Sequence, residues 1–325
     1  MNAKIPMFIL LLMATTFFTI ITTNSMFAWV MMELNMLTFT PLICLQKSTT
    51  TEADISLKYL IPQSFASSLF MISIIMTTLS PYSNILASTA LLMKAGSVPL
   101  HTWFPAVMYS INMMAGTILM TWQKIIPLFL LSIPQLSFTP LVLMSAALSA
   151  LWGSVAGLNQ TNIISMLTFS SIAHLSWLIL ASLLSLKVLC LYLTSYVLTL
   201  LPILSMMNMS NEKAHKTIMC STMEKYPQAT FILNLLSLAG LPPLAMFSSK
   251  IPIIILMSKM MTVLVFMLIS TAISLYFYMA IIFTTMFNLP KPLKASNSTA
   301  SLKTICILSI VFQLSTLPLS LCFLP

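Results

Sequence analysis

Apolar positions along this chain come in nearly continuous runs of about 20 residues, the length one helix needs to cross a bilayer's hydrocarbon core. Eleven such runs are predicted, over residues 5–23, 25–45, 58–79, 84–111, 113–132, 138–158, 160–181, 188–209, 228–257, 260–287 and 302–322. Only 46–57, 210–227 and 288–301 collect polar residues, and none is long enough to fold as a soluble domain. The first run, MNAKIPMFILLLMATTFFTIITTN, has near-full span length and no small-residue cleavage site. It is expected to be a retained helix rather than a signal peptide.

Composition agrees. Hydrophobic residues make up 59%, charged residues 6%, and the mean hydropathy is +1.02, where a soluble domain carries about 25% charged residues. The fold class is therefore an all-α polytopic membrane protein. The net charge of +9 does not indicate nucleic acid, because the lysines are scattered among apolar runs and form no basic stripe. Five cysteines show no C-x-x-C pairing and read as small buried hydrophobes.

Loop lysines test the topology. With the N-terminus on one side, Lys4, Lys47, Lys58, Lys213, Lys216, Lys225, Lys291, Lys294 and Lys303 fall there, against Lys187 and Lys259 opposite. That asymmetry makes the first side the inner compartment. Four ionisable residues remain inside spans: Glu33, Lys94, Lys124 and Lys250. Each costs roughly 2.5–3.5 kcal/mol to insert on translocon scales. Lysines near helix ends can reach an interface; the short Glu33 side chain, about eight residues inside its span, cannot do so easily. Together they read as groups facing a hydrated interior that relays protons or ions. Burial disfavours the charge of a lysine and a neighbouring carboxylate favours it, so a moving carboxylate switches the proton.

Two spans are interrupted. Gly96 and Pro99 follow Lys94 in the fourth, and Gly240, Pro242 and Pro243 precede Lys250 in the ninth. Proline removes a backbone donor and opens a helix, and opened backbone is tolerated at membrane depth only when buried in protein or lining a wet cavity. The breaks fall in the fourth span of the first five and the fourth of the next five, so the second set runs inverted. This is the broken-helix, inverted-repeat plan of ion-translocating secondary transporters. The expected division is 1–132, 133–287, and 288–325 for a loop and final helix.

The runs KAGSVPLHTWFP, TWQKIIPL, GLNQT followed by SSIAHLSW, and LSLAGLPPL, in that order, resemble the subunit 2 family of NADH dehydrogenase. These are antiporter-like membrane subunits of mitochondrial respiratory complex I. The absence of arginine and the 28 methionines resemble a mitochondrially encoded protein. The resemblance implies two inverted five-helix repeats plus a final helix, with Glu33 and Lys94 as the control pair of a proton channel. It implies Lys124, on an unbroken fifth span, as the central relay, and Lys250 as the group passing charge to a neighbouring subunit or an exit. It also implies a matrix-side N-terminus in the mitochondrial inner membrane, neighbouring antiporter-like complex I subunits as partners, and phospholipid contacts. NADH, FMN, iron–sulfur clusters and ubiquinone are expected in partner subunits, since this chain has no G-x-G-x-x-G, P-loop or four-cysteine cluster.

The chain departs from the family pattern at Ala106, where glutamate is usual, at Met246 and Ser249, and in the uncharged stretch after GLNQT. Among other candidates, His101 follows the first break and His174 lies inside an apolar span, where it is either a packed residue or a relay member. His215 falls in a loop. Gly153 and Gly157 form G-x-x-x-G, expected as a packing face. A free-standing cation/proton antiporter and a passive membrane scaffold are the alternative functions.

Overall fold

The computed structural model describes residues 4–44, 50–77, 82–210, 225–258, 260–287, 304 and 307–313. Two compact units divide the chain, Met1–Ser149 and Ala150–Pro325. Helix dominates the described residues, and seven helices are long and apolar enough to cross a membrane. Most of the eleventh predicted span lies outside the described residues. So do His215 and the loop lysines Lys47, Lys213, Lys216, Lys259, Lys291, Lys294 and Lys303.

The first unit opens with α1 (Lys4–Ile21), α2 (Ser25–Cys44) and α3 (Thr50–Met76). Asn24 starts α2, its side-chain oxygen accepting the Met26 N–H at 3.0 Å, which satisfies one donor that the first turn leaves open. Residues Ala28, Met32, Asn35, Met36, Phe39, Leu42 and Ile43 of α2 are buried, the single stripe that three- and four-residue spacing produces. Glu33 borders that stripe and is half-buried. α3 begins eight residues before the predicted span, so Glu52 lies in its first turn and is 7% exposed rather than in a connection. A carboxylate there complements the positive end of the helix dipole, which favours the longer helix.

The fourth span is broken as predicted, into α4 (Ser83–Ala95) and α5 (Trp103–Ser110). The fifth is one span, Met113–Leu131, whose winding changes within it: α6 (Met113–Thr121) passes through a 3-10 turn, Trp122–Lys124, into α7 (Ile125–Leu131), so Lys124 ends a tighter turn. Pro127 is the cause: it has no N–H for the Gln123 carbonyl, and its ring crowds that carbonyl. α8 (Thr139–Leu158) carries the chain from the first unit into the second.

The second unit is built around α9 (Ile163–Leu184), whose residues 170–182 are all buried. A helix apolar all round is one enclosed by its neighbours. Its hydroxyls are satisfied locally, as when Ser170, Ser171 and Ser176 donate to the carbonyls three residues back at 2.9, 2.7 and 2.6 Å. α10 (Leu186–Ser210) is capped by Ser185, whose Oγ accepts the Val188 N–H at 3.3 Å. The ninth span is broken into α11 (Lys225–Ala239) and α12 (Ala245–Leu256), followed by α13 (Met261–Phe287). Residues 307–313 are helical.

The G-x-x-x-G pair is a packing face. A Cβ on Gly153 would stand 2.7 Å from the Ala173 backbone nitrogen and 2.8 Å from the Phe169 carbonyl oxygen, and one on Gly157 would stand 3.1 Å from the Phe277 ring. The backbones of α8 and α9 meet at Gly153, and backbone cannot swing aside as a side chain can. Gly153→Val is therefore expected to destabilise the protein by about 1–3 kcal/mol, the usual cost of overpacking. A lowered thermal unfolding midpoint in detergent, with Gly157→Ala affected less, is the readout.

Candidate functional site

In the first unit the site grows from the end of α4. Gly96 adopts φ 78°, a left-handed conformation open to glycine at little cost. The Ser97 N–H reaches back to the Leu92 carbonyl at 3.1 Å, and the Gly96 N–H is shared between the Leu92 and Met93 carbonyls, each at 3.1 Å. This is a Schellman-type stop. The remaining carbonyls are met from other helices: the Trp103 indole N–H donates to Met93 at 3.1 Å and the Gln63 amide to Lys94 at 3.2 Å. The break is therefore sealed by α3 and α5.

Beyond the seal lies a cavity of about 30 Å³. Lys94, Lys124, Asn35, Gln63 and Gln123 supply its polar lining, with Tyr59, Trp103 and Phe104 among the apolar wall. Lys94 and Lys124, thirty positions apart in sequence, thus share one chamber. Lys124 is 3% exposed, and its Nζ stands 5.4 Å from the centroid of the Phe104 ring. That face attracts a cation and costs no charged partner. Edge-to-face contacts continue the wall from Phe104 to Trp103 at 5.7 Å, Tyr59 at 6.0 Å and Phe39 at 5.0 Å. His101 is buried in the break. Ala106 is exposed on α5 and takes no part in lining the cavity.

The second unit repeats several of these devices. Gly240 adopts φ 82°, and the Leu241 N–H reaches back to the Leu236 carbonyl at 3.4 Å. Both breaks read Ala-Gly-x-x-Pro-Leu, at 95–100 and 239–244, and in both the bond before that proline is cis. A Cβ on Gly240 would lie 2.9 Å from the Lys250 Nζ, so the amine rests against the carboxyl end of α11. That end carries the negative pole of the helix dipole, where a cation is favoured. Lys250 is 6% exposed, its Nζ 5.5 Å from the Trp177 ring. His174 stands one turn before Trp177 on α9, its Nδ1 2.9 Å from the Tyr192 hydroxyl and its ring 5.6 Å from that of Tyr196. Met246 and Ser249, two of the departures from the family pattern, are fully buried in α12.

The polar partners were less legible: Gln63, Asn35 and Tyr192 are uncharged polar residues in apolar runs, which carry no sequence signature. Gln123 had a signal, standing between Trp122 and Lys124 before Pro127. In the second unit, Asn234 accepts from Gln313 at 2.6 Å, and Ser237 Oγ donates to the Asn234 carbonyl at 2.7 Å. That polar cluster lies just before the second break. Among the described residues no group of three or more His, Cys, Asp or Glu side chains is arranged to hold a metal.

Residues 77–276 match the family model described as NADH:quinone oxidoreductase/Mrp antiporter, TM. The NADH-ubiquinone oxidoreductase chain 2 of Lumbricus terrestris is 35% identical over 95% of this chain and 94% of its own length. The protein of the same name from Anopheles gambiae is 37% identical over 84% of this chain and 83% of its own. Among solved structures, a chain of respiratory complex I from Thermus thermophilus superposes with a TM-score of 0.86. It covers 97% of this chain and 78% of that one, at 21% identity, a likeness of fold alone.

The seal on the first break is testable. Gln63→Leu leaves the half-buried Lys94 carbonyl without its side-chain donor, a loss worth about 1 kcal/mol. Faster hydrogen exchange at the amides of Gly96 and Ser97 is the expected result.

Proposed function

The chain belongs to the family of NADH-ubiquinone oxidoreductase chain 2, and from that membership we propose how its buried lysines carry protons. It is a proton-translocating membrane subunit of complex I, a part of the NADH:ubiquinone reductase that itself catalyses no redox step. Glu33 and Lys94 form the control pair of the first unit, Lys124 is its central relay, and Lys250 is the relay of the second unit. His101 and His174 are secondary members. Support comes above all from one observation: Lys124 and Lys250 are both buried, each with its amine over an aromatic face. An aromatic face attracts the charged amine without holding its proton in place.

The finer architecture follows the family. Eleven spans form two inverted five-helix repeats, 1–132 and 133–287, and a final helix within 288–325. The matching Ala-Gly-x-x-Pro-Leu breaks support the repeat. The N-terminus faces the matrix across the mitochondrial inner membrane, and the lysine excess on that side supports the orientation. Neighbouring antiporter-like subunits and phospholipids surround the chain, and NADH, FMN, iron–sulfur clusters and ubiquinone reside in partner subunits.

Lys124→Met keeps the apolar stem and removes the amine. The assembled complex should then translocate protons at least tenfold more slowly in sealed vesicles, since a positioned proton-transfer group is worth about 10²–10⁴-fold. Normal translocation by an assembled variant would show the lysine to be a structural cation. In native purification the chain should migrate with a large NADH-oxidising assembly. Activity of the isolated chain in liposomes would favour a free-standing antiporter instead.

A further inference from the structure

Gln123 is a polar residue of the first unit's chamber that the proton relay leaves unused. It lies on the 3-10 turn immediately before Lys124 and lines the same cavity as Lys94, Gln63 and Asn35. Its Nε2 is buried with no hydrogen-bond partner among the described residues. A buried amide left without a partner is costly, and native proteins satisfy such groups with ordered water where space allows. Here space allows: a water needs about 10–15 Å³ of such volume, so the 30 Å³ chamber has room for about two. Turning the amide over would put Oε1 in the same place, and water serves either atom. The other amides are differently engaged, Gln63 donating to the Lys94 carbonyl and Asn35 to Thr15 Oγ1 at 3.2 Å.

We propose that Gln123 is a positioning residue of the proton path, holding in the chamber the water through which Lys94 and Lys124 exchange a proton. The proposal rests on the relay reading above. In the exchange an N–H bond of the Lys94 ammonium breaks as an O–H bond forms on the water. Another O–H of that water breaks as an N–H bond forms on the Lys124 amine. One positive charge moves between the lysines and the water is restored. The amide neither gains nor loses a proton; it fixes the water's orientation so that a lone pair meets one amine while an O–H meets the other. Gln123 and Lys124 lie on the same short turn, Trp122–Lys124, and both line the cavity.

The test compares assembled complexes carrying Gln123→Met, Gln123→Asn and Lys124→Met, in sealed vesicles, in H2O and in D2O. Losing one oriented hydrogen bond slows transfer roughly two- to tenfold. Gln123→Met should therefore reduce proton translocation by that factor and enlarge its solvent isotope effect. Gln123→Asn, which keeps an uncharged amide in the chamber, should recover part of the rate. A Met variant with wild-type rate and isotope effect overturns the proposal, as does a slow Met variant with an unchanged isotope effect that Asn does not rescue. If Lys124→Met translocates normally, the relay reading itself fails; if it is silent while Gln123→Met is normal, only the role of Gln123 fails. Should Gln123→Met not assemble, a map of the native complex at water-resolving detail decides. A water within hydrogen-bond distance of both the Gln123 amide and a lysine amine is required, and its absence there overturns the proposal.

Discussion

The hydrocarbon of a bilayer offers no water to a broken helix, so every carbonyl that a break releases has to be met by protein or by water held in a cavity. This constraint organises the first unit. Opening α4 frees the Met93 and Lys94 carbonyls, and Trp103 and Gln63 are the donors that meet them. Those two residues then fix the rest: Trp103 begins the aromatic wall that ends in Phe104 beneath Lys124, and Gln63 brings α3 to the chamber's edge. A polar chamber is thus a consequence of closing the backbone.

The second unit meets the same constraint with a different partner. Gly240 ends α11 in the same left-handed conformation, but here a lysine amine, that of Lys250, lies against the break. A cation at the carboxyl end of a helix is favoured by the aligned peptide dipoles, and the Trp177 face holds it from another side. In both units a buried lysine amine stands over an aromatic ring, Lys124 over Phe104 and Lys250 over Trp177, a contact worth about 2 kcal/mol when desolvated.

Much of this was legible in the sequence. Continuous apolar runs located the helices, and Gly-Pro spacing located both breaks, because each is a local property of a few adjacent residues. The lysines were legible for the same reason, since charge in an apolar run costs too much to be incidental. What escaped was long-range or depended on helix continuity. The pairing of Gln63 with the Lys94 carbonyl spans thirty-one positions and leaves no periodic trace. The early start of α3 at Thr50 hid the burial of Glu52. Pro127 was visible, yet its effect, the turn carrying Gln123 and Lys124, depends on which carbonyl it starves.

The account's central claim is that buried charge in this chain is moved and not merely accommodated. Glu33 tests it most directly, being the proposed control partner of Lys94 and bordering the buried face of α2. Glu33→Gln preserves shape and removes the charge, and the measurement is proton translocation per NADH oxidised by the assembled complex in sealed vesicles. The account predicts a lower ratio or a matched slowing of both processes. An unchanged rate and ratio, with the complex intact, would contradict it.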